Sequence, residues 1–370
     1  MRYGKVHGGV VAAAVVALMG ASPGLAQDQP APHTFEQAQF AEQPVTPERL
    51  TAAFHMTKYE QTPTRAFASP ASMLADPSNP RVIVAATADL RTRVCHLVRS
   101  TDAGSTWHLS ESLPAPSDYP YCTNNNAGVA EASIAWGRNG TLYYALQAYG
   151  DGEGFREGRA SIALARSTDL GNTWSTTLVE DNRGSTEVHP PSAEGVTGVA
   201  VDTSGPRDVV YVGFTRRYRT APDDSPLNNP HVFVATSTDG GATFPPAVNL
   251  NDFPDLTQRI AGKSYPLLMR SSFGAPFLTA HDGVVLAVTG SQTPFDNEPP
   301  PPPEAGAGLE PGSYYAHPLP QLVARSTDQG RTWSVTKLGP PIYAGTGNQT
   351  GLGWTPKGGP EGTFVAAYAA

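Results

Sequence analysis

The chain of 370 residues carries 33 acidic and 25 basic side chains, a formal charge of −8, and only 16% charged residues against 37 glycines and 36 prolines. That balance argues against a surface built to neutralise nucleic-acid phosphates, and so turn-rich a composition argues against a helical fold and for many short strands. In chain order, the first 26 residues stand apart: Arg2 and Lys5 precede an apolar run from Gly8 to Met19, and Gly24-Leu25-Ala26 supplies small residues. This is the pattern of a secretory signal peptide cleaved before Gln27. The run is too short to cross a bilayer, so a secreted chain, extracellular or periplasmic, with no membrane span is expected. Residues 27–64 form an N-terminal segment in which Pro47–Phe54 is the only short helix candidate and Phe54–Tyr59 has strand character.

From residue 65 to residue 370 one pattern recurs. Ser100-Thr101-Asp102-Ala103-Gly104-Ser105-Thr106-Trp107 is followed by three more copies: Ser167 to Trp174, Ser237 to Phe244 and Ser326 to Trp333. Each copy follows a short apolar run, so each reads as a turn leaving a strand. The aspartates Asp102, Asp169, Asp239 and Asp328 can accept backbone N–H bonds across that turn, and the glycine two residues on supplies a conformation other residues resist. The aromatic side chains Trp107, Trp174, Phe244 and Trp333 can bury a large ring between units. Reading backwards gives an inner strand (Ser72–Ala75, Ala132–Trp136, Thr197–Val201, Pro276–Ala280) and a second strand (Val82–Ala86, Thr141–Leu146, Val209–Phe214, Val284–Val288) in each unit. With the strands on either side of the aspartate turn, each unit has four. Four-stranded units repeated radially are the blades of a β-propeller, an all-β fold.

Gly351–Trp354 and Thr363–Ala367 read as the first two strands of a fifth unit, within which the chain stops. A truncated propeller is the expectation, with closure by His33–Tyr59 as the alternative. The linkers between second and third strands differ greatly in length, and the longest, Ser291–Pro320, contains the proline run Pro299 to Pro303. They share one face with the connections between blades, and the aspartate turns occupy the other. A binding pocket is expected on the linker face. Two cysteines, Cys95 and Cys122, in an exported chain predict a disulfide that contributes about 3 kcal/mol by constraining the unfolded chain. No metal-ligand spacing is present, and no cofactor is expected.

The Ser/Thr-x-Asp-x-Gly-x-Thr-Trp pattern resembles the Asp box of the bacterial-neuraminidase repeat, and residues 65–370 resemble a sialidase-type propeller, which has six blades when complete. The resemblance implies a glycan-directed protein, with a glycan or glycoconjugate as partner and exo-sialidase activity where the catalytic groups are in place. It also implies three arginines on a substrate carboxylate, an aspartate acid/base, and a tyrosine nucleophile activated by a glutamate. A neutral phenol suits an anomeric carbon beside a carboxylate, because like charge repels the usual nucleophilic carboxylate. Arg65, in Thr64-Arg65-Ala66-Phe67, stands where the family has its Arg-Ile-Pro motif, and Ala88-Asp89-Leu90-Arg91 matches the family's Ala-Asp-x-Arg. The sequence departs from the family after Arg91, where Thr92-Arg93-Val94-Cys95-His96 contains no carboxylate. Asp89, or Glu131 just before the second inner strand, would have to serve as the acid. Arg270, just before the fourth, is the third candidate clamp. Arg216-Arg217-Tyr218-Arg219 reads as a solvated charged loop, Glu187 and His189 as loop caps, and Tyr144, Tyr218 and Tyr343 include no evident nucleophile. Two functions follow: a secreted sialidase-like glycoside hydrolase, or a non-catalytic propeller that binds a glycan or a protein.

Overall fold

The computed structural model describes residues 14–16, 73–89, 94–110, 112, 114–122, 132–150, 161–181, 188–189, 198–218, 231–251, 256–270, 276–292, 318–343, 350–354 and 364–368. A short β1 (Ala14–Val16) is followed by a first blade of β2 (Met73–Asp76), β3 (Asn79–Asp89), β4 (Val94–Ser100) and β5 (His108–Leu109). The second blade is β6 (Ser133–Trp136), β7 (Leu142–Ala148), β8 (Ser161–Ser167) and β9 (Ser175–Glu180). After β10 (Val188–His189) comes the third, β11 (Gly198–Asp202), β12 (Val209–Tyr218), β13 (His231–Ser237) and β14 (Val248–Asn249). A hairpin of β15 (Thr257–Ile260) and β16 (Lys263–Pro266), then β17 (Leu268–Arg270), lead to the fourth blade. That blade is β18 (Phe277–His281), β19 (Val284–Gln292), β20 (Pro318–Ser326) and β21 (Ser334–Tyr343). Finally β22 (Thr350–Trp354) and β23 (Phe364–Tyr368) pair with each other.

Every strand pairing is antiparallel, and each blade runs in sequence order from its innermost to its outermost strand. The inner strands touch in succession, β6 against β11, β11 against β18 and β18 against β22, which arranges the blades as a β-propeller. Among the described residues there is no α-helix, and the one helical turn is the 3-10 turn Arg138–Gly140.

Stacking blades face to face explains the apolar runs in the sequence. A strand covered on both faces has no polar side to present, so it reads as continuous rather than alternating apolar residues. All seven residues of β7 are buried. Its neighbours Tyr143 and Tyr144 point to opposite faces and enter different cores. Tyr144 joins Val84, Leu97, Ile134, Leu142 and Leu146 between the first and second blades. Tyr143 joins Leu164, Val210, Val212, Phe214 and Phe233 between the second and third. Tyr211, Val234, Met269, Val285, Leu322 and Trp333 fill the space between the third and fourth. Each fully buried side chain of this size contributes roughly 1.5–3 kcal/mol.

The repeat assigned from the sequence places all four inner strands to within a residue of where they stand. The second strands run further than expected: β3, β12 and β19 continue through Asp89, Tyr218 and Gln292 into segments read as linkers. Four elements were not expected at all: β1, β10, β17 and the β15–β16 hairpin. The first three have two or three residues each, too few to show a period. The hairpin turns on Ala261 and Gly262, at φ 47° and 86°, the left-handed pair that suits a tight two-residue connection. Lys337 Nζ donates to the Thr257 carbonyl at 2.7 Å and holds the hairpin to β21, while Ile260 and Leu267 extend the core beneath it. On its outer side β23 pairs with β1, Ala14 opposite Tyr368 and Val16 opposite Ala366, a pairing that belongs to the uncleaved chain because β1 lies within the 26 residues read as a signal peptide. Residues 33–59, considered above as its partner, lie outside the described residues.

Candidate functional site on the linker face

The four aspartate turns share one geometry. In the third, Ser237 Oγ donates to Asp239 Oδ1 at 2.6 Å and accepts the Gly241 N–H at 2.8 Å, while Asp239 accepts from the Thr243 N–H at 3.0 Å and the Thr243 hydroxyl at 2.6 Å. The bonds around Asp102, Asp169 and Asp328 repeat this pattern. The residue before the glycine is left-handed as well, Ala103 at φ 62°, Leu170 at 58° and Gln329 at 59°. Trp174, Phe244 and Trp333 each pack into the core between their own blade and the one before. Each aspartate is thus spent on bonds within its own turn.

The hydroxyl of Thr173, its N–H and Ser167 together hold the Asp169 carboxylate down to about 2, and Ser237 with Thr243 does the same for Asp239. Asp102 and Asp328 are shifted in the same direction, mainly by Thr106 and Thr332. A depressed folded-state pKa contributes stability above the unfolded value, and that contribution is lost as pH falls through the folded one. The thermal midpoint is accordingly expected to fall most steeply between about pH 4 and pH 2. Asp239→Asn, with one joint unable to titrate, should show a shallower fall. A midpoint that holds steady down to pH 2 in the parent protein would contradict this.

The opposite face carries the linkers, and there the chain enters the second, third and fourth blades by the same device. Tyr121, in the segment leading to the second blade, bridges to Tyr149. Val188–His189 pairs with Tyr218–Arg217, and Leu268–Arg270 pairs with Gln292–Gly290. Tyr149, Arg217 and Gln292 each stand seven residues beyond the second-strand residue that faces the box serine, so the three docking points are equivalent. The lead-in segments thus form a rim around the inner strands on the linker face. Two or three extended residues leave no period in the sequence, which is why this rim was not anticipated.

Several polar groups of the rim are fixed by neighbours. The Tyr149 hydroxyl donates to Gln147 Oε1 at 2.5 Å. The disulfide joins Cys95, at the start of β4, to Cys122, beside the Tyr121 bridge, with Cα atoms 5.7 Å apart. The reading of Arg216 as part of a solvated loop is corrected: it ends the buried part of β12, its Nε donates to Glu180 Oε1 at 2.8 Å, and a second bond reaches Glu180 Oε2. Its guanidinium also lies 4.0 Å from the centroid of the Phe233 ring. Arg216 ties the second blade to the third. Tyr144 is likewise structural, its hydroxyl buried against the Thr87 and His96 carbonyls, and burial pushes its pKa well up.

Of the candidate site residues, Asp89 closes β3 opposite Val94, and Arg270 closes β17 opposite Gly290. Both backbone positions belong to the linker face. Their side chains, together with Arg65, Arg91 and Glu131, lie outside the described residues. Among the described residues no group of histidine, cysteine, aspartate and glutamate could hold a metal ion, and no helix is long and apolar enough to cross a membrane.

No family model matches the sequence, and no curated protein matches it. Among solved structures, the chain is similar to the GH93 α-L-arabinofuranosidase of Fusarium graminearum in complex with arabinobiose, at 15% identity and a TM-score of 0.46, over 82% of this chain and 76% of that one. It is similar to Penicillium chrysogenum α-L-arabinanase complexed with arabinobiose at 15% identity and a TM-score of 0.45, over 81% and 78%. To Trypanosoma rangeli sialidase in complex with 2,3-difluorosialic acid the figures are 14% and 0.38, over 65% of this chain and 34% of that one. Likenesses this loose carry no residue correspondence.

Proposed function

We propose that the protein is a secreted, glycan-directed propeller of sialidase type, acting as an exo-sialidase-like glycoside hydrolase from its linker face. The observation that carries this reading is the fourfold aspartate turn on the opposite face, because it resembles the repeat of that family in residue pattern and in blade position. In this reading Arg65, Arg91 and Arg270 hold a substrate carboxylate by paired N–H donation, for which guanidinium geometry is suited. Asp89 or Glu131 delivers the proton to the leaving oxygen. The acid must stay protonated near neutrality, which an enclosed, apolar surrounding would provide.

The test is hydrolysis of a fluorogenic sialoside by the secreted protein. Release of the fluorophore, abolished in Asp89→Asn or Glu131→Gln, is the expected result. A general acid contributes about 10²–10⁴-fold, so the loss should be of that order. The absence of any carboxylate from Thr92 to His96 favours a second reading, in which the same face binds the glycan without cleaving it. Saturable binding of sialyllactose with no turnover would select that reading, and neither binding nor turnover would overturn both.

A further inference from the structure

The disulfide occupies a position that the repeat fills differently elsewhere. Cys95 stands five residues before the box serine of its blade and pairs with Ala88; Val232 stands five before the box serine of the third blade and pairs with Thr215. Cys122 follows the docked residue Tyr121, and Met269 follows the docked residue Leu268. The pair Cys95 and Cys122 at the junction of the first two blades is thus equivalent to the pair Val232 and Met269 at the junction of the third and fourth. The latter two are buried in one core, Val232 fully and Met269 nearly so. Cys95 and Cys122 are buried too, at 1% and 4% exposure, beside Tyr119, Tyr144 and Ala148. One junction closes through an apolar contact and the other through a covalent bond.

The two lead-in segments also differ in how much backbone pairing holds them. Leu268–Arg270 has three paired residues on β19. Among the described residues, the segment before the second blade is bridged at Tyr121, with the Tyr149 N–H donating to the Tyr121 carbonyl at 2.7 Å and the Tyr121 N–H to the Tyr149 carbonyl at 3.3 Å.

We propose that the Cys95–Cys122 bond is a positioning clamp for the linker-face rim: it holds the lead-in segment of the second blade on β7, doing covalently what Val232 and Met269 do by packing. Beyond what the cross-link adds to global stability by constraining the unfolded chain, it acts locally on that segment. That the clamped rim borders a glycan site rests on the function proposed above, whereas the clamp itself does not.

The test compares two double variants of the full chain by amide hydrogen exchange. Cys95→Ser/Cys122→Ser removes the bond and leaves two small polar groups. Cys95→Val/Cys122→Met installs the apolar pair of the other junction. In the serine pair, exchange at Tyr121 and Tyr149 should quicken by about tenfold or more beyond any change at Val210 and Val285, the excess expected of local opening. In the valine–methionine pair, exchange at Tyr121 and Tyr149 should stay within about threefold of the parent. Unchanged exchange in the serine pair would overturn the clamp. Equal acceleration at Val210 and Val285 would show a global stabiliser instead. Loss of protection in both variants, or failure of the valine–methionine pair to fold, would overturn the equivalence of the two junctions. Sialyllactose binding measured on the same proteins keeps the two readings separate: if the parent shows none, the exchange results still decide the clamp.

Discussion

Gly171→Ala should lower the stability of the propeller by about 2–5 kcal/mol, the sum of a conformational and a packing cost. Gly171 sits in the aspartate turn of the second blade at φ 80°, a left-handed conformation, where a β-carbon costs roughly 1–2 kcal/mol. The added atom would also stand 2.5 Å from Leu97 Cδ2 and 3.1 Å from the Trp174 ring. Leu97 belongs to β4 of the preceding blade and is fully buried, so it cannot swing aside into solvent. Overpacking of this kind costs roughly a further 1–3 kcal/mol. Gly104→Ala is the control. Gly104 holds the same place in the first blade at φ 88°, but its nearest neighbours, Trp107 and Ile83, are 3.8 and 3.9 Å from the added atom. It should show the conformational cost alone. Thermal or denaturant unfolding of the two variants measures the difference, and equal losses would show that the close fit of the second turn on the first blade has no energetic weight.

The same contact is why the fold was legible and much of the site was not. Turn residues at Ser100, Asp102, Gly104 and Thr106 each answer a local need, so their spacing survives in the sequence as a motif and recurs wherever the need recurs. The apolar runs of β7 and β12 answer burial on two faces and survive as composition. The rim was read less well because its elements answer distant partners. Tyr121 pairs with Tyr149 and Leu268 with Gln292, and nothing about a tyrosine or a leucine in isolation announces such a pairing. Arg216 shows the same limit. Beside Arg217 and Arg219 it looked like a solvated run, yet Glu180 lies 36 residues away in sequence and within bonding distance in space. The disulfide was legible because two cysteines without metal-ligand spacing have few alternatives, but the equivalence of its position to an apolar pair emerges only from comparing two junctions of the repeat.

Repeat comparison also exposes where one junction departs from another. Tyr143 and Tyr211 occupy the same register, each one residue beyond the position facing the box serine, and both are buried. The Tyr143 hydroxyl donates to Asp208 Oδ2 at 2.9 Å and approaches the Gly240 carbonyl at 3.3 Å. Asp208 is the residue two before the serine-facing position of the third blade, and the fourth blade has Gly283 there. The Tyr211 hydroxyl accordingly has no hydrogen-bond partner among the described residues. Burial pushes both phenols well up, reinforced by Asp208 in one case and by Asp202 and Asp328 in the other, so both stay protonated donors.

Asp208→Ala should therefore cost about 1–3 kcal/mol, because it removes the acceptor of two donors, of which only the Tyr143 hydroxyl has another within reach, the Gly240 carbonyl. One is the Tyr143 hydroxyl. The other is the Arg138 N–H, which points at both carboxylate oxygens at 3.2 and 3.1 Å. The Arg138 guanidinium keeps its bonds to the Thr203 and Gly205 carbonyls, so the second and third blades stay joined while the half-buried Arg138 N–H loses its acceptor. Tyr143→Phe removes one of those donors and leaves an acceptor short, and should cost roughly 1–3 kcal/mol. Tyr211→Phe should be neutral or stabilising, since it deletes a buried hydroxyl that makes no bond among the described residues. Denaturant unfolding of the three variants settles the matter. If Tyr211→Phe costs as much as Tyr143→Phe, the Tyr211 hydroxyl has a partner in solution, and the asymmetry between the two junctions is lost.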